Sequence, residues 1–259
     1  MSFANAIYLS GATAPIESTD TVAKHPLGTR MVLDDGRVFV YAKAGAAITR
    51  TDVGVENPVP QGISQRAVGA AAAVGDTSVT FTTVSPDGIT GDGSILEDEF
   101  VGGYVLLFTT GAVAPLDKQI RRITGNTATA AAGEITMTLD RGLEIALATA
   151  TSKIEAIHSP YAGVTIGANI QSPIVGVASC LAGDGEYLWI QTWGVCWLSL
   201  QAGCGVAGQI GLTFRHDGSL SEALSAVSGT ITNQYAGFVL AGIDAATQAA
   251  PFIMLQISP

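Results

Sequence analysis

Three tryptophans fall within nine residues of one segment, Tyr187-Leu188-Trp189-Ile190-Gln191-Thr192-Trp193-Gly194-Val195-Cys196-Trp197. Trp189, Trp193 and Trp197 share one parity with Tyr187, so an unbroken strand presents all four rings on one face. Such a stripe offers a stacking platform for sugars or for a partner protein, or it builds a core or subunit contact. The equally apolar Leu188, Ile190 and Val195 favour the second use. Gly194 is the position at which a bulge or bend would interrupt the register.

Other residue types that do chemistry are scattered. His25, His158 and His216 do not stand at a metal-ligand spacing such as HExxH. Arg215-His216-Asp217-Gly218 reads as a turn closed by Asp-Gly, and no GxSxG elbow accompanies it to place a serine nucleophile. Asp87, Asp92, Glu97, Asp98 and Glu99 cluster around Gly88, Gly91 and Gly93 without the alternating ligand spacing of an EF-hand. A solvated loop is the first reading there, with a structural cation near Asp92 as the second. Cys180, Cys196 and Cys204 match neither a CxxC zinc pattern nor a disulfide framework and read as small apolar residues. No GxGxxG or GxxxxGK[ST] is present, so no nucleotide cofactor is expected, and apart from that second reading near Asp92 the spacings suggest no metal.

Charge is scarce. The 259 residues include 12 Lys and Arg against 22 Asp and Glu, a formal net charge of -10. That balance argues against a nucleic-acid surface, which needs clustered cations to displace phosphate counterions. It equally disfavours anionic lipid. No run approaches 18 apolar residues, so no membrane-spanning helix is expected, and the N-terminus lacks the basic-then-apolar pattern of a signal peptide. Synthesis in a cytoplasm is the corresponding expectation. With 47% hydrophobic residues and 13% charged, the chain should cover surface against other chains as well as within itself.

The elements that position these residues read as strands. Residues 1–26 show little periodicity and suggest an extended arm, either disordered or lying on a neighbouring molecule. Thr29–Leu33 and Arg37–Lys43 flank Asp34-Asp35-Gly36, a strong hairpin signal. Residues 44–65, with Pro58 and Pro60, read as a connector. Candidate strands then follow at Ser78–Thr83, Tyr104–Thr109, Gln119–Thr124, Ile135–Leu139 and Lys153–Ile157, and at Ile174–Cys180, Tyr187–Thr192, Val195–Gln201, Gly211–Phe214, Phe238–Ala241 and Ile253–Ile257. Ala128–Gly133 reads as a hairpin loop and Leu143–Ala150 as one helical turn. Short strands at this spacing, with glycine-rich turns, indicate barrels or sandwiches. The expected fold is all-β: an arm and hairpin over 1–65, a β-domain over 66–160, and a C-terminal barrel or sandwich over 161–259.

Several stretches resemble structural proteins of tailed bacteriophages, many of them marine. They are His25-Pro26-Leu27-Gly28-Thr29-Arg30 leading into Asp35–Lys43, Gly102-Gly103-Tyr104-Val105, Ile120–Asn126, Leu139–Leu147, Ser159-Pro160-Tyr161 and Tyr187–Gly194. The closing pattern, an apolar strand at Gly237–Ala241, an Asp-containing loop and a last strand Pro251–Ile257, is similar to small β-domains of capsid decoration, or cement, proteins. The resemblance implies a non-enzymatic virion protein on the capsid exterior, a homotrimer whose partners are the major capsid protein and copies of itself. On that expectation the contact residues are Pro15, Ile16, His25 and Pro26 in the arm and Tyr187, Trp189, Trp193 and Trp197 in the aromatic strand. A tail, fibre or baseplate protein with glycan affinity is the alternative. A secreted β-rich hydrolase is a third reading, which needs a convergent polar cleft.

Overall fold

The computed structural model describes residues 15–57, 62–89, 91–110, 117–167, 172–200, 204, 210–223, 234–240 and 252–258 in full, and the backbone alone at 6–9 and 231–233. Every regular element among them is a strand, as the alternation and turn signals predict. Two compact units result: Met1–Pro58 with Pro160–Pro259, and Val59–Ser159.

The first unit contains β1 (Ala6–Leu9), β2 (Arg30–Leu33), β3 (Val38–Ala44) and β4 (Gly54–Glu56) before the inserted unit. After it come β11 (Ala162–Ile166), β12 (Ile174–Ala178), β13 (Tyr187–Trp197), β14 (Gly211–Arg215), β15 (Leu220–Glu222), β16 (Ile231–Val239) and β17 (Phe252–Gln256). The inserted unit holds β5 (Ile63–Ala67), β6 (Ser78–Thr82), β7 (Tyr104–Thr109), β8 (Lys118–Asn126), β9 (Glu134–Leu139) and β10 (Ser152–Ile157).

Within the first unit, β3 pairs with β11, β11 with β4, β4 with β12, β12 with β13, and β13 returns to β3. This is a closed five-stranded barrel. Five strands enclose little room, and the interior is accordingly small: Val40, Ala42, Ala44, Val55, Val164, Val175, Ala178, Leu188 and Ile190. Gly176 belongs to the same fit, because a Cβ there would stand 2.7 Å from the Ile190 side chain. Beyond the barrel, β13 continues into a curled sheet of order β13-β17-β16-β14-β15. That sheet closes over Leu198, Cys204, Leu212, Phe214, Leu220, Ala236, Ile253 and Leu255, with Cys196 packed against them.

The inserted unit forms a sheet of order β5-β10-β7-β8-β9-β6. It curls until its edges meet, through a bridge between Val68 and Phe81 and an N–H of Gly69 donating to the Thr80 carbonyl at 2.7 Å. Phe81, Phe100, Val105, Leu107, Ile123, Ile135 and Ile154 fill it.

Four expectations change. The hairpin β2–β3 is not a module apart from the C-terminal domain, because β3 supplies a stave of the barrel through its register with β13. The connector read over 44–65 contains β4, which pairs with both β11 and β12. Tyr187–Thr192 and Val195–Gln201 are one 11-residue strand rather than two. Leu143–Ala150 is not helical; Leu147 instead bridges to Ala72.

Candidate interaction site

On β13 the barrel interior takes Leu188 and Ile190, so the odd-numbered residues face outward, as their parity requires. At the start of the strand this outer face is covered. Trp189 is 2% exposed, packed in a cluster with Met31, Leu33, Phe39 and Tyr41 against Ile16, Leu27 and Tyr187. The cover is the segment 15–28. Asp20 forms a two-way backbone bridge with Tyr187, both bonds 2.8 Å. His25 stands edge-on to Tyr41 at 5.2 Å and tilted over Trp189 at 5.4 Å, centroid to centroid. The Tyr41 hydroxyl donates to Asp20 Oδ2 at 2.9 Å and accepts the Lys24 N–H at 3.2 Å. Burial, and the Asp20 carboxylate it bonds, push the Tyr41 phenol up to about 12.

Over residues 15–26 this replaces the reading of an extended arm that is either disordered or lying on a neighbour. Ile16, His25 and the exposed Pro15 and Pro26 belong to a segment that folds back on its own barrel. The reason lies in the hydrogen bonding. Asp20 supplies both backbone partners to Tyr187, so the segment acts as a short extra strand. Residues 1–5 and 10–14 lie outside the described residues.

Past Gly194 the same face of the same strand is about half exposed. Val195 is 45% exposed and Trp197 50%. Their cross-strand partners on β17 are Met254 and Phe252, and Trp193 lies opposite Gln256. Phe252 is 59% exposed. On β16, Phe238 lies opposite Met254, and the Leu240 N–H donates to the Phe252 carbonyl at 2.9 Å. Tyr235, also on β16, and Leu240, just past its end, are each about half exposed. Apart from the Tyr235 phenol, none of these side chains is ionisable in a chain of net charge -10. Five half-exposed side chains of this size present roughly 500 Å², at the upper end of the largest patch on an ordinary monomer.

The sequence singles out Trp193 and Trp197 but misses Phe252, Met254, Tyr235 and Leu240. One signal was present. Phe252-Ile253-Met254-Leu255 is apolar at every position, which a strand with one solvated face does not require.

Several of the other chemistry-bearing residues have structural partners. In the inserted unit, Asp87 receives Arg66 in a two-pronged pair at 2.7 and 2.8 Å and also accepts the Val84 N–H. Glu99 accepts the N–H groups of Ile89 and Leu96, each at 2.8 Å, and meets His158 Nε2 at 3.0 Å. Burial raises the Glu99 carboxyl, but these three hydrogen bonds outweigh it and hold the group below its usual range. Asp92 caps the Ser94 N–H. The acidic loop thus spends most of its carboxylates on its own backbone, and no group of three metal-ligating side chains occurs among the described residues. Arg215–Gly218 is the turn joining β14 to β15, with Gly218 at φ 76° donating its N–H to the Arg215 carbonyl. Burial pushes the Cys196 thiol up to about 12, far from a reactive thiolate.

Fold and face together define a two-unit all-β protein with a half-exposed aromatic sheet face. Compared with known proteins, the chain matches no family model, no curated protein and no solved structure.

Proposed function

We propose that this chain is a non-enzymatic virion component: a decoration protein that binds the outer shell of a tailed-phage head and stabilises its major capsid lattice. One observation carries the proposal toward assembly. The outer face of β13, β17 and β16 leaves Trp197, Phe252, Val195 and Leu240 about half exposed with no charged side chain among them. Water is a poor neighbour for such a face, and a protein surface is a good one, because interface cores are enriched in aromatics and depleted of Lys and Glu. The resemblance of the sequence segments to phage structural proteins supplies the shell as partner. Several weak contacts per oligomer add by multivalency, so no single patch needs high affinity.

The test mixes the purified protein with matching shells. Wild type should bind and raise the temperature at which the shells break. Trp197→Glu with Phe252→Glu should weaken binding at least tenfold while leaving the melting temperature of the free protein unchanged. Failure of the wild type to bind, or equal heat resistance of shells lacking it, overturns the reading. The half-exposed Trp197–Phe252 pair also favours a second reading, a tail or fibre protein that stacks sugars. Glycan binding lost in Trp197→Ala, with no affinity for shells, would establish that instead.

A further inference from the structure

The inserted unit carries a second surface, of different chemistry. On the outer face of its sheet, the registers of β10, β7 and β8 align three rows of three residues. Ile157 lies beside Tyr104 and Tyr104 beside Arg122; Glu155 beside Leu106 and Leu106 beside Ile120; Lys153 beside Phe108 and Phe108 beside Lys118. Directly opposed residues stand about 5 Å apart at Cβ, so Lys153 and Lys118 are the cross-strand neighbours of Phe108, and Arg122 is that of Tyr104. Tyr104 is 44% exposed, Ile157 50% and Ile120 57%. Three of the chain's 12 basic residues therefore sit among five apolar side chains, with Glu155 the one carboxylate in the grid. Among the described residues, neither Lys118 nor Lys153 forms an ion pair.

The same unit displays the complementary surface. The loop before β7 exposes Leu96 to 69% and Ile89 to 51%, beside the exposed Asp92, Glu97 and Asp98. The loop is built to hold that shape: Glu99 fixes the Ile89 and Leu96 N–H groups from beneath, and Ile95 bridges to Thr129. One surface is cationic and apolar, the other anionic and apolar, and both belong to one chain. With strands about 4.8 Å apart, the grid is only about 10 Å wide, which suits a loop tip rather than a second sheet.

We propose that these two surfaces meet between copies of this chain: the Tyr104–Phe108 face of one copy takes the Leu96–Glu97 tip of the next. Such a contact is heterologous, so it closes into a ring or continues as a filament. Opposite charges set the register and speed encounter, while the apolar side chains hold the contact. The proposal concerns self-association alone and stands whether or not the partner of the β13 face is a capsid.

Sedimentation of the full chain tests it, with circular dichroism and melting temperature confirming that each variant folds. Wild type should form oligomers that dissociate as salt rises from about 0.05 M to about 0.5 M, since exposed charge pairs are screened over that range. Lys118→Glu with Lys153→Glu should weaken association at least tenfold, and Glu97→Lys alone should do so to a smaller extent. All three changes on one chain should recover most of the loss. A wild type that stays monomeric overturns the proposal, as does absence of recovery in the triple variant. Oligomers that ignore these charges but vanish in Trp197→Glu would assign self-association to the β13 face. Binding of single-stranded nucleic acid, lost with Lys118 and Lys153, would assign the grid to that ligand instead.

Discussion

Trp189 and Trp197 lie on one strand, with side chains on the same outer face, eight residues apart. The first is 2% exposed and the second 50%. Nothing in residue type or parity separates them. What differs is the extent of cover: the segment 15–28 closes over Trp189, while Trp197 keeps half of its surface exposed. An aromatic stripe of this kind has one physical requirement, exclusion of water. Among the described residues the molecule meets it fully at one end and only in part at the other.

The most direct way to break this comparison is to truncate both rings. Trp189→Ala should lower unfolding free energy by about 3–5 kcal/mol, the usual cost of removing a fully buried large aromatic side chain. Trp197→Ala should change it by less than about 1 kcal/mol, as exposed positions away from special features do. Urea denaturation of the dilute protein checks both. Equal losses would mean that the two ends are equally covered in solution, and the uncovered face would cease to exist as a distinct feature.

Why the two ends looked alike in sequence is a question of range. Parity along Tyr187–Trp197 is local, and it correctly predicts which side chains share a face. The strand boundaries at Tyr104–Thr109 and Ile135–Leu139 were legible for the same reason, because Gly-rich turns and alternating burial bracket them. Closure of the barrel is not local. β3 and β13 are separated by the whole inserted unit, and only their register reveals that the N-terminal hairpin is a stave. The cover over Trp189 is non-local too: Asp20 and Tyr187 pair through backbone groups that every residue possesses. The bare face was half legible, through the unbroken apolar run of Phe252–Leu255, but its membership depended on knowing that β17 lies beside β13.

The junction between the covered and bare ends offers a sharper probe. Gly194 holds φ at 98°, a conformation that side-chain-bearing residues rarely adopt. A Cβ there would also stand 2.9 Å from Arg37 Cγ and 3.0 Å from its Cα. Gly194→Ala should therefore cost about 1–3 kcal/mol by backbone strain and crowding together. Hydrogen exchange localises the effect. Amides of Trp193–Trp197 should lose protection while those of Leu188–Ile190, inside the closed barrel, keep theirs. Uniform loss along β13 would show that the two ends form one cooperative piece rather than two.

The cover itself is tied down by polar contacts, and these are pH-dependent. Burial raises the Asp20 carboxyl, but hydrogen bonds from Lys24 and Tyr41 and the nearby positive charge outweigh it, leaving the group below its usual range. A carboxyl depressed in the folded state contributes stability that is complete above its unfolded value, near 3.9, and is lost as pH falls through the folded one. The urea midpoint should thus decline below about pH 4, and part of that decline should disappear in Asp20→Asn. Tyr41→Phe removes the hydroxyl that joins Asp20 to the ring cluster and should cost about 1 kcal/mol at neutral pH, the typical net worth of one such hydrogen bond. A pH profile in Asp20→Asn identical to wild type would remove Asp20 as the fastening.

The smallest effect expected belongs to Lys24, and it decides what kind of fastening this is. Its ammonium meets Asp20 Oδ1 at 2.5 Å, yet the lysine side chain is 69% exposed. An ion pair in that setting is worth about 0.2–1 kcal/mol and fades with salt. Lys24→Ala should therefore cost no more than about 0.5 kcal/mol, less than Tyr41→Phe, because the Lys24 backbone N–H still donates to the Tyr41 hydroxyl. Should the order reverse, with Lys24→Ala the costlier change and its cost lost in high salt, the segment is held by charge at its rim. It would then lift from Trp189 under the same ionic conditions that separate charged surfaces elsewhere, and the covered end of the stripe would differ from the bare one only in degree.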